Sequence, residues 1–160
     1  MDWCIDMPLN IRHGYPDDLE SMAAMERRCF PFPCAYSKNQ LRYLLTKAHN
    51  TVLVETHGGI LRGFIIVLYR DESRVAGIET LNVDPVYWGR GIGRDLLMAA
   101  EQEVRRKGRA FLTLEVSPGN KSAIHLYEKC GFLPKEYLHR YYHFPHQGTR
   151  DAIRMSKSLT

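Results

Sequence analysis

The stretch Leu81-Asn82-Val83-Asp84-Pro85-Val86-Tyr87-Trp88-Gly89-Arg90-Gly91-Ile92-Gly93-Arg94 decides how this chain is read. An apolar strand stops at Asp84-Pro85, because proline cannot donate to a sheet ladder. A glycine loop follows. Leu96, Leu97, Ala100 and Val104 then mark a helix of period 3.6, closed by Gly108. Successive backbone N–H groups at a helix N-terminus make a positive pocket for phosphate, and the glycines let the backbone approach it. Arg90 and Arg94 add charge-assisted bonds. Other glycine loops fit worse. In the dinucleotide fingerprint G-x-G-x-x-G the third glycine falls one residue later, and here no acidic residue ends a second strand about twenty residues on. The P-loop needs Gly-Lys-Ser/Thr, which is absent. The competing reading of the loop alone is a plain glycine-rich connection between strand and helix.

Outward from the loop, elements follow from periodicity and punctuation. A first strand lies near Leu9 to Arg12. Asp17 or Asp18 starts a helix running to Cys29, with Leu19, Met22, Ala23 and Glu26 on one stripe. Phe30-Pro31-Phe32-Pro33 breaks it. Ser37 and Gln40 form a capping box for a second helix with Leu41, Leu44 and Leu45 on its apolar face. Thr51 to Glu55 and Ile60 to Tyr69 read as a hairpin around His57-Gly58-Gly59, and Val75 to Val83 as the next strand. Beyond the third helix come a strand at Phe111 to Val116, a helix capped by Asn120 and closed by Gly131-Phe132, and a long antiparallel pair at Tyr137 to Phe144 and Arg150 to Lys157. The order β-α-α-β-β-β-α-β-α-β-β predicts an α+β domain over residues 1–160. Its sheet is mixed and mostly antiparallel, with helices on both faces.

Composition agrees. A chain of 160 residues with 44% apolar and 25% charged residues suits one soluble core. The longest apolar run, Phe64 to Tyr69, is far too short to cross a membrane, and Met1 to Met7 lacks the basic start of a signal peptide. Cys4, Cys29, Cys34 and Cys130 show no C-x-x-C spacing, so free thiols in a reducing cytoplasm are expected. A net charge of +4 accommodates an anionic cofactor without marking a nucleic-acid binder. The run Arg105-Arg106-Lys107 is explained by a helix C-terminus. His139, His143 and His146 do not make a metal site: on a strand, residues 139 and 143 stand about 13 Å apart.

With Gly91 and Gly93 after a strand and before a helix, the chain resembles the GNAT family of N-acetyltransferases from Leu9 to Leu159. That resemblance implies a three-layer fold and acetyl-CoA as donor. Its pyrophosphate would lie on Trp88, Gly89, Arg90, Gly91, Ile92, Gly93 and Arg94, bound mainly by backbone amides. Trp88 departs from the family's Arg or Gln. The pantetheine arm would insert beside Leu81, Asn82 and Val83 where two strands splay, one of whose amides would stabilise the developing oxyanion.

Glu115 interrupts the apolar strand Leu112 to Val116, facing opposite to Leu114 and Val116. Asn120 and Tyr127 lie about two helical turns apart, on one face. An amine attacks only when deprotonated, so a base is needed, and the leaving thiolate needs a proton. Glu115, Asn120 and Tyr127 resemble, in type and spacing, the ribosomal-protein-alanine branch of the family. By that resemblance Glu115 is the base, Tyr127 the acid and Asn120 a coenzyme A contact. Structural roles compete: an ion pair for Glu115, a helix cap for Asn120, core packing for Tyr127. Glu79, read as facing opposite to Ile78 and Thr80, is the rival base.

Phe32-Pro33-Cys34-Ala35-Tyr36 and Tyr141-Tyr142, the latter expected in the penultimate strand, resemble the segments flanking the peptide in N-terminal acetyltransferases. Phe32, Pro33, Tyr36, Tyr141 and Tyr142 are therefore the expected acceptor-binding residues. A peptide α-amine has a pKa near 8, and deprotonating lysine costs about 3 kcal/mol more at neutral pH. The expected acceptor is a protein or peptide N-terminus, with a ribosomal protein as the candidate that the resemblance implies. The alternatives are a lysine, a small amine, or a non-catalytic acyl-CoA sensor. The chain is expected to work as a monomer or homodimer, away from nucleic acid and membrane, by direct transfer with no acetyl group left on Cys29, Cys34 or Cys130.

Overall fold

A computed structural model of the chain describes residues 8–47 and 49–160. Cys4 and the N-terminal stretch weighed above lie outside them. The elements run β1 (Ile11–His13), α1 (Leu19–Cys29), α2 (Lys38–Thr46), β2 (Asn50–His57), β3 (Ile60–Tyr69), β4 (Val75–Val83), α3 (Ile92–Arg106), β5 (Phe111–Val116), α4 (Lys121–Lys129), β6 (Leu133–Leu138) and β7 (Ala152–Ser158). One seven-stranded sheet has the order β1-β2-β3-β4-β5-β7-β6. Every strand pair is antiparallel except β4–β5.

Helix boundaries follow local chemistry. The Ser37 hydroxyl accepts from the Gln40 amide while Gln40 accepts from the Ser37 amide, the reciprocal pair expected from the sequence. At the end of α4, Phe132 N–H reaches Tyr127 O and Gly131 N–H reaches Glu128 O, with Gly131 at φ 94°. That is a Schellman ending, and the positive φ requires glycine.

Two apolar layers clamp the sheet. Phe64 and Ile66 of β3 face α1 and α2, beside Met22, Met25 and Leu41. Ile65 and Val67 face α3 and α4, beside Leu96, Leu97 and Phe132. A strand buried on both faces reads as a continuous apolar run, which is why Phe64–Tyr69 does. Helices α1 and α2 stop covering the sheet at β4. Beyond it Thr113, Glu115, Arg154 and Ser156 share a partly exposed face.

The last hairpin corrects the sequence reading. The penultimate strand ends at Leu138, and residues 139–151 form a loop before β7. Aromatic-rich Tyr137–Phe144 carries strand propensity, but tertiary contacts override it. The Ser117 hydroxyl donates to His146 O at 2.8 Å, Tyr142 N–H donates to Arg150 O, and the Tyr142 and His146 rings lie 3.9 Å apart. Tyr141 and Tyr142 therefore stand on a loop docked against the β5–α4 turn, and the strand-based spacing between His139 and His143 does not apply.

Candidate active site

The site begins with a bulge. In β4, Ile78 pairs with Val67 and Thr80 with Ile66, so Glu79 is the extra residue. A bulge resets the alternation of side chains. Ile78 faces the α3 core, as does Leu81, while Thr80 and Asn82 turn toward α1. The expectation that Glu79 lies opposite both Ile78 and Thr80 is corrected accordingly. Strand β4 pairs with β5 only from Val75 to Gly77. Beyond the bulge the two strands part, and a cavity of about 330 Å³ fills the gap. Its walls are Ile78–Leu81 of β4, Leu114–Val116 of β5 with Ser117 after it, Asn120, Ala123 and Tyr127 of the α4 end, and a further side made by Glu26, Phe30, Cys34, Tyr36, Tyr141, Tyr142, His146 and Gln147.

Three carboxylates surround this space. Glu115 accepts from Arg154 Nε at 3.0 Å, and Arg154 Nη1 also donates to Glu136 at 3.0 Å. The register makes this a cross-strand row, since Arg154 lies opposite both glutamates. Glu79 accepts from the Tyr36 hydroxyl. Glu26 is 1% exposed, and it accepts from Tyr36 N–H at 3.2 Å and Asn82 Nδ2 at 2.8 Å. Burial pushes its pKa up, against the pull of those two donors.

Tyr127, otherwise buried, also lines the cavity. Its ring meets Phe132 edge-on at 5.8 Å. Burial, with a minor contribution from Cys130, pushes its pKa up to about 12. Asn120 caps α4 by accepting from Ala123 N–H at 3.3 Å, and it lines the cavity as well. Asn120 is thus both the helix cap and part of the cavity wall. Cys29 donates to Val83 O, and burial ahead of the Glu26 and Asp84 charges raises its thiol to about 11. A thiol so raised is a poor nucleophile.

The glycine loop continues from β4 through a 3₁₀ turn at Pro85–Tyr87. Gly91 is the N-cap of α3 at φ 80°, and no side chain caps the helix. The first amides of α3 are thus left for a ligand. Gly93 packs so tightly that a Cβ there would meet Leu126 at 3.1 Å. Arg90 and Arg94 are exposed beside the loop. The Tyr87 ring lies 5.2 Å from the Arg90 guanidinium and 5.5 Å from that of Arg62, and Arg62 is anchored on buried Glu55 at 2.7 Å. Trp88 is exposed, and its indole N–H donates to Val83 O at 2.8 Å. Of the three strand residues expected beside the pantetheine arm, Leu81 lines the cavity. The Asn82 side chain is buried on Glu26, and the Val83 carbonyl is engaged by Trp88 and Cys29.

The acetyltransferase (GNAT) family model matches residues 19–132. The chain belongs to the GNAT acetyltransferase family. It is 35% identical over 148 residues to the ribosomal protein bS18-alanine N-acetyltransferase of Escherichia coli K12, covering 89% of this chain and 93% of that one. The crystal structure of the Escherichia coli ribosomal-protein-S18-alanine N-acetyltransferase superposes with a TM-score of 0.82 at 28% identity, over 94% and 93% of the two chains. Ard1 from Thermoplasma volcanium gives 0.83 at 26% identity, over 94% and 97%.

As a GNAT N-acetyltransferase, this chain brings Glu79, Glu115, Asn120, Tyr127, Tyr36, Tyr141 and Tyr142 to one cavity. Phe32 stands outside, 96% exposed, and Pro33 is also exposed. Their loop is nevertheless tied across the cleft, because the Cys34 thiol donates to Pro145 O at 3.3 Å. Two site residues were not read from the sequence. Glu26 was counted with an apolar stripe, where an acid is itself a signal. Arg154 becomes visible only once β7 is registered against β5. Among the described residues no His, Cys, Asp and Glu group converges to hold a metal, and no helix is long and apolar enough to cross a membrane.

Proposed function

We propose that this enzyme transfers the acetyl group of acetyl-CoA to the α-amine of a polypeptide N-terminus, by direct attack within a ternary complex. The observation that carries the reading is the acceptor wall. Tyr36 from the α1–α2 loop and Tyr141 and Tyr142 from the β6–β7 loop face Glu115 and Tyr127 across one cavity. Aromatic walls with polar tips suit a narrow slot that grips a peptide end.

The chain's residues fit the cofactor. The uncapped N-terminus of α3, Arg90 and Arg94 would hold its pyrophosphate. The unpaired edges of β4 and β5 offer backbone groups to a pantetheine arm. Acetyl-CoA supplies the activated thioester. Carboxylates at Glu26, Glu79 and Glu115 draw the incoming ammonium to the cavity. Glu115, oriented by Arg154, takes the first proton from nitrogen through water. A β4 amide beside Leu81 stabilises the negative charge growing on the acetyl oxygen. Tyr127 gives its proton to the departing sulfur and recovers one from the newly acylated nitrogen, which must lose a second proton to become an amide. The raised thiol of Cys29 agrees with a mechanism that needs no acetyl-enzyme.

The test is product mapping. A peptide with a free N-terminus and an internal lysine is incubated with labelled acetyl-CoA and sequenced by fragment mass spectrometry. Label on the α-amine is expected; label on the lysine side chain alone refutes the reading.

A further inference from the structure

A second cavity, about 400 Å³, adjoins the first and is lined by Tyr36, Asn39, Gln40, Tyr43, Leu44 and Glu79. Tyr36 and Glu79 belong to both cavities and are hydrogen-bonded to each other, so the two spaces share one wall. We propose that this groove binds the residues that follow the first in an extended polypeptide acceptor, with an apolar side chain seated against Tyr43 and Leu44. The proposal rests on the N-terminal reading above.

Three features fit that occupant. Asn39, Gln40 and Tyr43 share one flank of α2 and Tyr36 stands just before the helix, while Leu41 is buried in the core and Leu44, also buried, reaches the groove from that side. Tyr43 is 58% exposed. A single exposed tyrosine is ordinary, but this one borders a groove that shares Tyr36 and Glu79 with the active-site cavity. The amides are already oriented. Asn39 Oδ1 accepts from Arg42 and Gln40 Oε1 accepts from the Ser37 amide, so both carbonyl ends are engaged. Their NH₂ groups are the ends left to donate, and backbone carbonyls of an extended chain are acceptors. The sheet beside Glu79 is bare as well. A Cβ on Gly77 would meet nothing nearer than the Thr113 hydroxyl at 3.9 Å.

Charge sets the direction. An ammonium held at the shared Glu79 wall points the rest of the acceptor away from Tyr127. An extended chain advances about 3.4 Å per residue, so the second or third residue reaches an adjoining groove. A small amine has nothing to place there.

The experiment compares a dipeptide amide with a pentapeptide that shares its first two residues and carries leucine at the third and fourth. Both are assayed with wild type and with Tyr43→Ala and Asn39→Ala, which change exposed side chains. Wild type is expected to use the pentapeptide about tenfold more efficiently, the worth of one well-seated apolar side chain. Tyr43→Ala is expected to remove most of that advantage through KM, leaving kcat and the dipeptide rate unchanged. Equal efficiency on both lengths overturns the groove proposal but leaves the N-terminal reading standing. So does an equal loss on both in Tyr43→Ala. Silence on both peptides, with a small amine acetylated, overturns the N-terminal reading and the groove with it.

Discussion

Replacing Tyr127 by phenylalanine removes one oxygen and little else. The ring keeps its edge-on contact with Phe132, and the backbone bonds that close α4, from Gly131 to Glu128 and from Phe132 to Tyr127, are untouched. Thermal stability should therefore stay within a degree or two. If the hydroxyl is the proton donor to sulfur, kcat should fall by about 10²–10⁴, the usual worth of a general acid, or about 3–5 kcal/mol of barrier. KM for acetyl-CoA should change little. The pH profile adds a second reading. An ordinary tyrosine is about half ionised at pH 10, whereas one raised to about 12 is only about 1% ionised there. Wild-type kcat should thus hold level to about pH 10 as far as Tyr127 is concerned. The gap to a thiol near 8.5 is also informative: handing the proton to an already released thiolate would cost about 5 kcal/mol, and the sulfur still bonded to carbon is far less basic than that. Proton donation must accompany C–S cleavage, and a solvent deuterium isotope effect on kcat should appear in wild type and be lost in the variant. A Tyr127→Phe enzyme with more than a tenth of wild-type kcat would refute this reasoning.

Three other outcomes follow from the geometry. Glu115→Gln should lower kcat by about 10²–10⁴, while Glu79→Gln should cost less than about tenfold, and steady-state kinetics on one peptide separates the two. Tyr87→Ala should raise KM for acetyl-CoA about five- to tenfold with kcat nearly unchanged, because Arg90 loses the ring it shares with Arg62; Tyr87→Phe should restore wild-type KM. For Glu26 the sign follows from burial. Its folded pKa is raised, so its contribution is fully present below the unfolded value of 4.5 and is lost as pH rises through the folded value. The melting temperature of Glu26→Gln relative to wild type should therefore increase as pH rises above the unfolded value of 4.5; a constant difference would contradict it.

Much of this architecture was legible because local signals agree with the final packing. Ile60–Tyr69, Val75–Val83 and Phe111–Val116 fall where their patterns place them, as do the Ser37–Gln40 cap and the Gly131 ending. The uncapped start of α3 at Gly91 follows from the same glycines that suggested an anion site. What was missed is non-local. No residue type marks the bulge at Glu79, which exists only in the pairing of β4 with β3. Tyr141 and Tyr142 look like strand residues until Ser117 and His146 draw their loop onto the β5–α4 turn. Arg154 and Glu115 are 39 residues apart in sequence and opposite each other in the sheet. Glu26 was visible as an acid on an apolar stripe, but its partners Tyr36 and Asn82 come from two other segments.

The central claim is tested most directly by coenzyme A release with acetyl-CoA and matched peptides. One of each pair carries a free N-terminus, its partner a blocked one, and each is made with and without an internal lysine. The account predicts turnover on every free N-terminus and none on blocked peptides, whether or not lysine is present. Turnover on blocked, lysine-containing peptides at a rate matching the free ones would contradict it.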